Sequence, residues 1–432
     1  MAKSLVSTEP YAVQFEALQA ALPDGPLAER RLQALARFRE LGFPTTRQES
    51  WKYTALRSLA RLTPAAATEA PSLDRAPALL ADTPAHRLVF VNGLFRAELS
   101  DLGDLPQGAF IAPLTEVLDD ETLISEDENG AFALLNQALF QDGALIALER
   151  GVVLDQPIIL TFVSIDEADG RSTHPRLVIR FGENSQATVI EHHLGYGEAL
   201  GLSNLVSSVD LATGSKLDHV VLQTEQTRVQ HITSRRVTVG RDATYDSFGV
   251  TLGAGLSRNE IEVSLEGTGA SCALDGTYLL AGTQHGDLTS TIHHRAEHTT
   301  SRETVKGALA GKARGVFQGK IVVEPGAQKT DGRMMNKTLL LSDKAEIDSK
   351  PELEIFADDV QCAHGATAGE LDADALFYLR ARGIPEERAR ALLVEAFLAD
   401  VIELCPVEAL REELRSRAGR WLAEASQEEA AA

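Results

Sequence analysis

The chain has 432 residues, 44% of them hydrophobic, and sets 63 acidic against 41 basic side chains for a formal charge of −22. That is enough apolar material for a large core, and the charge repels phosphate backbones and anionic lipid, so neither nucleic acid nor a membrane is the expected partner. Cys272, Cys362 and Cys405 are the only cysteines. They form neither a disulfide framework nor a CxxC metal site, and with no secretory signal in MAKSLVSTEPYAVQ and no apolar run of about 18 residues the expectation is a cytoplasmic protein with reduced thiols.

The first elements read as helices. Tyr11 to Leu22 and Ala28 to Leu41 carry apolar residues at helical spacing, broken by Pro23–Asp24–Gly25–Pro26 and stopped by Gly42 and Pro44. Thr46 with Glu49 predicts a capping box. The Ala-, Pro- and Thr-rich stretch from Ala65 to Pro84 predicts a flexible connector. From residue 86 the period becomes alternating. HRLVFVNGLF predicts a hairpin turning at Asn92–Gly93, and FALLNQALFQDG a short helix.

A recurring unit follows: an apolar residue, a small or polar corner, a small residue, a new strand. Examples are Val239-GRDA-Thr244, Leu265-EGTGA-Ser271, Val323-EPGA-Gln328 and Leu341-SDKA-Glu346. Short strands joined by tight corners at a loose repeat favour a β-solenoid over a sandwich, and the glycines read as corners needing positive φ. The chain then returns to helix. Asp372 caps a segment stopped by Gly383, and Pro385 opens a second helix with a stripe of Ala389, Leu392, Leu393, Ala396, Phe397, Val401 and Leu404. Pro406 starts a third with Leu410, Leu414 and Trp421, and the tail EASQEEAAA reads as disordered.

Candidate chemistry is sparse. Cys362 and His364, two apart at a strand end, share a face, and a thiolate beside an imidazole suits iron, zinc or sulfur. The alternative is a small buried cysteine beside an ordinary surface histidine. His285, His293, His294 and His298 lack ligand spacing and read as loop or surface residues, as do His192 and His193. Cys272 and Cys405 read as structural, in strand and helix. No Walker A, GxSxG or GxGxxG sequence is present, so no ATP site and no hydrolase site is assigned.

Long stretches resemble the SufB/SufD family of SUF iron–sulfur cluster assembly scaffolds. These are ESWKYTAL (49–56), VFVNGLF (89–95), LNQALFQDGALIALERGVVLDQPIIL (135–160), HHRAEHTTSRETVKGALAGKARGVFQGKIVV (293–323) and PELEIFADDVQCAHGATAGELDADALFYLRARGI (351–384). Within the family the chain resembles the SufD branch: Lys350 and Gly365 stand where a SufB-like chain is expected to have Cys and Glu, and no cysteine precedes Cys272. The resemblance implies a mainly β fold, a right-handed parallel β-helix over 86–370. A helical region and connector (1–85) would precede it and a helical ATPase-docking segment (371–432) would follow. It implies a non-catalytic scaffold that pairs with a SufB-like partner and docks the SufC-like ABC-type ATPase, with self-pairing when partners are absent.

Cys362 and His364 match positions at the scaffold interface, where they would contribute ligands to a transient iron–sulfur cluster shared with the partner. The ATPase would dock on Phe377, Tyr378, Leu379, Leu392, Leu393 and Phe397. The competing reading is a β-helix carbohydrate-active enzyme with a carboxylate-lined groove, which would want secretion and an aromatic-lined cleft. Aromatics are 5% of the chain.

Overall fold

Each repeat unit becomes one rung on each of two stacked sheets. The computed structural model describes residues 6–19, 26–65, 71–75, 77, 79–118, 120, 122, 124, 129–166 and 169–431. Two helices come first, α1 (Glu9–Leu18) and α2 (Pro26–Leu41); the expected end of the first helix and most of the break after it fall outside the described residues, as does part of the connector. The hairpin β1 (His86–Val91) and β2 (Leu94–Phe95) turns on Asn92 and Gly93, both left-handed, as expected. Next come β3 (Ala109–Pro113), α3 (Ala131–Leu139), β4 (Gly143–Leu148), β5 (Ile158–Asp166), β6 (Arg171–Thr173) and β7 (Arg176–Phe181).

The regular stack follows: β8 (Gln186–Gly197), β9 (Gly201–Leu211), β10 (Lys216–Thr224), β11 (Val229–Val239), β12 (Thr244–Thr251), β13 (Leu256–Leu265) and β14 (Ser271–Leu280). It continues with β15 (His285–His294), β16 (Thr300–Leu309), β17 (Arg314–Val323), β18 (Asp331–Leu340), β19 (Glu346–Ile355) and β20 (Gln361–Gly369). One sheet runs β2-β1-β5-β8-β10-β12-β14-β16-β18-β20 and the other β19-β17-β15-β13-β11-β9-β7-β4-β3, with β6 on β9. All pairings in the stack are parallel; only β1–β2 and β3–β4, at its beginning, are antiparallel. The molecule is mainly β, a parallel β-solenoid with helices at both ends of the chain.

The corner motif has a physical basis. Asn184, Gly214, Asp242, Gly269, His298 and Lys329 all have positive φ. They form a column, each donating its backbone N–H to a carbonyl of the next coil, as Asp242 does to Thr268 and Lys329 to Asp359. The small residue after each, such as Ala243 or Ala270, is buried and turns the chain into the next strand. Not every corner glycine serves φ. A Cβ on Gly267 would stand 2.1 Å from the Arg241 backbone nitrogen, so coil spacing, not dihedral angle, demands glycine there.

After the stack come α4 (Ala373–Ala381), α5 (Glu386–Ile402) and α6 (Glu408–Ala431). The last two fold back over the outer face of the β8–β18 sheet, burying Val220, Leu222, Phe248 and Leu279 against Val394, Leu398, Val401, Leu410, Leu414 and Trp421. The buried face of α5 is therefore rotated from the expected stripe. Ala389 and Val401 are inside as expected, but Val394, Leu398 and Ile402 join them, while Ala396 is exposed and Leu392, Leu393 and Phe397 are half-buried.

Three smaller expectations are corrected. The tail is helical through Ala431, held where Ala425 packs into the same cluster. Thr46 and Glu49 form no capping box: Glu49 opens a short 3₁₀ turn after Gln48 and pairs with Lys350 at 2.5 Å. Cys405 lies in the turn between α5 and α6, still buried, not within a helix. No described helix is long and apolar enough to cross a membrane.

Candidate functional site at the end of the stack

Register carries Cys362 and His364 to the last rung. β20 pairs with β18 on one side, and no described strand covers its other edge. Tyr245, Cys272, Ser301, Gly332 and Cys362 stand in one inward column, and Ser247, Leu274, Glu303, Met334 and His364 in the column beside it. Gly332 is the register neighbour of Cys362, and a Cβ there would meet the Cys362 Sγ at 3.5 Å, an ordinary packing distance. Cys362 is half-buried, and burial first, with Asp331 adding and a backbone hydrogen bond from Gly332 opposing, pushes its thiol up. The thiol of the free chain is therefore protonated at neutral pH.

His364 is exposed on the same face. Among the described residues no three His, Cys, Asp or Glu side chains converge to hold a metal ion. Clusters take about four ligands, so these two donors fit only part of a coordination shell. Cys272, three rungs inward in the same column, is buried and its thiol is pushed far up by burial, which suits the structural role expected of it.

Around this rung the surface is unusually apolar for so acidic a chain. Phe356 is 60% exposed, and Ile355 and Met335 are exposed as well. On the adjacent α4, Asp372 accepts from the backbone nitrogens of Asp374 and Ala375, and Gly383 takes positive φ at the stop, both as expected. Phe377 is 73% and Tyr378 57% exposed, while Leu379, Leu392 and Leu393 are half-buried beside them. Phe397 stands apart: Lys306 lies over its ring at 4.7 Å and donates to its carbonyl at 2.9 Å, fastening α5 to β16.

The histidines expected at loops or surface are mostly inside. His294 is buried and bonded to Thr299 and Ser301, at 2.8 Å each. His285 meets Thr54 Oγ1 at 2.9 Å and His293 lies 3.5 Å from Glu262; His298 alone of this group is an exposed corner. His193 points into the solenoid. Glu191 accepts from His193 at 2.9 Å, His219 at 2.7 Å and Arg235 at 2.8 Å, while Glu225 meets His231 at 2.6 Å. Burial opposes ionisation of Glu191, but Arg235 and the two imidazoles hold its carboxyl well below the usual range; Glu225, buried beside His231, is held at about 2. The parity was readable. In ATVIEHHLG, Glu191 and His193 share the face of Ala187 and Val189.

Glu303, one column position behind Met334 and His364, is fully buried with Ser290 donating to it at 2.7 Å, and burial pushes its carboxyl up to about 8. A raised carboxyl pKa stabilises the fold below the unfolded value near 4.5 and loses that stabilisation as pH rises through the folded value. The buried histidines act oppositely. His174 and His192, pushed down to about 3, and His294, to about 4, complete their contribution by about pH 6.5. Between pH 6.5 and 8, unfolding free energy should fall by about 1 kcal/mol per pH unit from Glu303 alone. Glu303→Gln should flatten that slope in denaturant titrations, and an unchanged slope would remove Glu303 as its source.

The site is thus an open-ended parallel solenoid with a thiol and an imidazole on its last rung and an aromatic helix beside them. The chain belongs to the SufBD family. The model for the SUF system FeS cluster assembly SufBD core domain matches residues 163–397, and that for the SufBD protein N-terminal region matches 8–160. It is 32% identical over 409 residues to the iron–sulfur cluster assembly protein SufD of Escherichia coli, covering 92% of this chain and 93% of that one. It is 31% identical over 428 residues to an iron–sulfur cluster assembly SufBD family protein of Synechocystis, covering 95% and 94%. A chloroplastic protein of Arabidopsis thaliana, ABCI7, is 29% identical over 78% of this chain and 74% of its own.

Proposed function

We propose that this chain is a non-catalytic scaffold subunit of iron–sulfur cluster assembly. It pairs through β20 with a SufB-type scaffold and docks a SufC-type ATPase on α4 and the neighbouring face of α5. The nascent cluster is the cargo, held at the seam by His364, with Cys362 in support, and by ligands from the partner. The observation that carries this reading is the incomplete donor set on an uncovered rung: two soft-to-borderline ligands, no third within the chain's described residues, and an unpaired strand edge beside them.

Co-expression with a SufB-type scaffold and a SufC-type ATPase tests it. All three chains are expected to co-elute as one species on size exclusion, and this chain alone as a self-paired species. If the other two co-elute while this chain runs separately, the pairing is wrong.

A further inference from the structure

The outer face of β8 carries a side chain that neither the solenoid nor its helical cover satisfies. His192 is 5% exposed, yet neither ring nitrogen has a hydrogen-bond partner among the described residues. Burial, then Arg417 and His193, push it down to about 3, so the imidazole is neutral and offers one donor and one acceptor. Leaving them unmade at that depth is costly, and a ligand that accepts from the ring N–H recovers part of the cost.

His192 lines a cavity of about 430 Å³ between β8, the chain at Leu79–Leu80 and α6. That volume lies within the range of organic ligand sites, roughly 300–1,000 Å³. Leu79, Leu80 and Leu194 give it apolar walls. Arg417 and Glu413, one helical turn apart on α6, stand over His192. Arg417 Nε lies 2.7 Å from Glu413, and Arg420 faces the same carboxylate at 3.5 Å. Two guanidinium groups share one carboxylate, which leaves a local positive excess on a strongly acidic chain.

We propose that this cavity binds a small organic carboxylate with an apolar body. Its head meets Arg417 and the neutral His192, and its hydrocarbon lies against the three leucines. The site is on the opposite side of the sheet from the lumen, and the proposal does not depend on the scaffold reading.

Calorimetric titration of the full chain tests it, with decanoate as the probe and acetate and decanol as its two halves. Decanoate is expected to bind one per chain and to raise the melting temperature, with acetate and decanol each at least about tenfold weaker. Arg417→Ala, on a side chain reaching the surface, and His192→Phe should each weaken decanoate by about tenfold or more. The half-probes need no variant, so the test survives a His192 variant that fails to fold. Absence of decanoate binding, decanol binding as tightly as decanoate, or unchanged binding by Arg417→Ala would overturn the proposal.

Discussion

His364→Ala, in a complex assembled with the SufB-type partner and the ATPase, is expected to lower cluster yield by about tenfold or more while leaving the complex intact. The imidazole is exposed on the last rung, so its loss creates no cavity. The rung is held by its parallel pairing with β18, Met334 opposite His364, which does not need the imidazole. What disappears is one donor from a shell in which no other described side chain of this chain can substitute. Cys362→Ala should act in the same direction but less, because burial keeps that thiol protonated until a metal draws the proton off. Cys405→Ala should leave yield unchanged, since that buried thiol is pushed up to about 11 among the helices, remote from the rung in the fold. The readout is the cluster's visible absorbance and iron content per complex. Equal yield from wild type and His364→Ala would sink the shared site and return the pair to an ordinary strand end.

Phe377→Ala and Tyr378→Ala are each expected to cost about 2 kcal/mol of ATPase docking, roughly thirtyfold in Kd. Both side chains are largely in solvent, so truncating them spares the fold. Tyr378 also receives a hydrogen bond from Arg382 at 2.7 Å, with that guanidinium 4.9 Å from its ring, which preorganises the aromatic at the surface. Point variants are the sound test. Removing 372–432 would strip α5 and α6 from Phe248, Leu222 and Val220 and expose the outer face of the sheet, so lost binding would then report a damaged solenoid. Binding of the double variant at full affinity by surface plasmon resonance would move the dock elsewhere. Phe397→Ala is a contrasting control: its ring covers Lys306, so it should lower the melting temperature as well as any affinity.

The solenoid was legible because its corners are chemical. An apolar residue, a small or polar corner, a buried small residue and a new strand recur, as at Val239-GRDA-Thr244 and Leu265-EGTGA-Ser271, and need no tertiary knowledge to recognise. The hairpin at Asn92–Gly93 was legible for the same reason. The rotated face of α5 was not, because Val394 and Leu398 are chosen over Leu392 and Leu393 by where Phe248 and Leu279 happen to lie on the sheet. The tail was misread as disordered: it continues α6, with Ala425 packed into that same cluster. The buried histidines were misread by composition where parity would have served, and His192 shows the limit of parity. Facing outward, it is still buried, because α6 returns over it. For Cys362 and His364 the strand spacing gave the shared face; that the rung has no neighbour is a property of the whole stack.

The two free edges of that last coil are unlike. β19 presents Glu346, Asp348, Lys350, Pro351, Glu352 and Glu354, charges and a residue without a backbone donor, while β20 reads QCAHGATAG, small and almost uncharged. The first composition discourages strand addition and the second permits it. At the other end of the stack, the sheets close with the two-residue β2 and the reversed β3. In the language of polymer chemistry the molecule is monofunctional: it has one reactive terminus, so joining consumes it. On the pairing proposed above, a rod built from repeating coils, which with two such termini would grow without limit, would act instead as a chain stopper whose product is a pair.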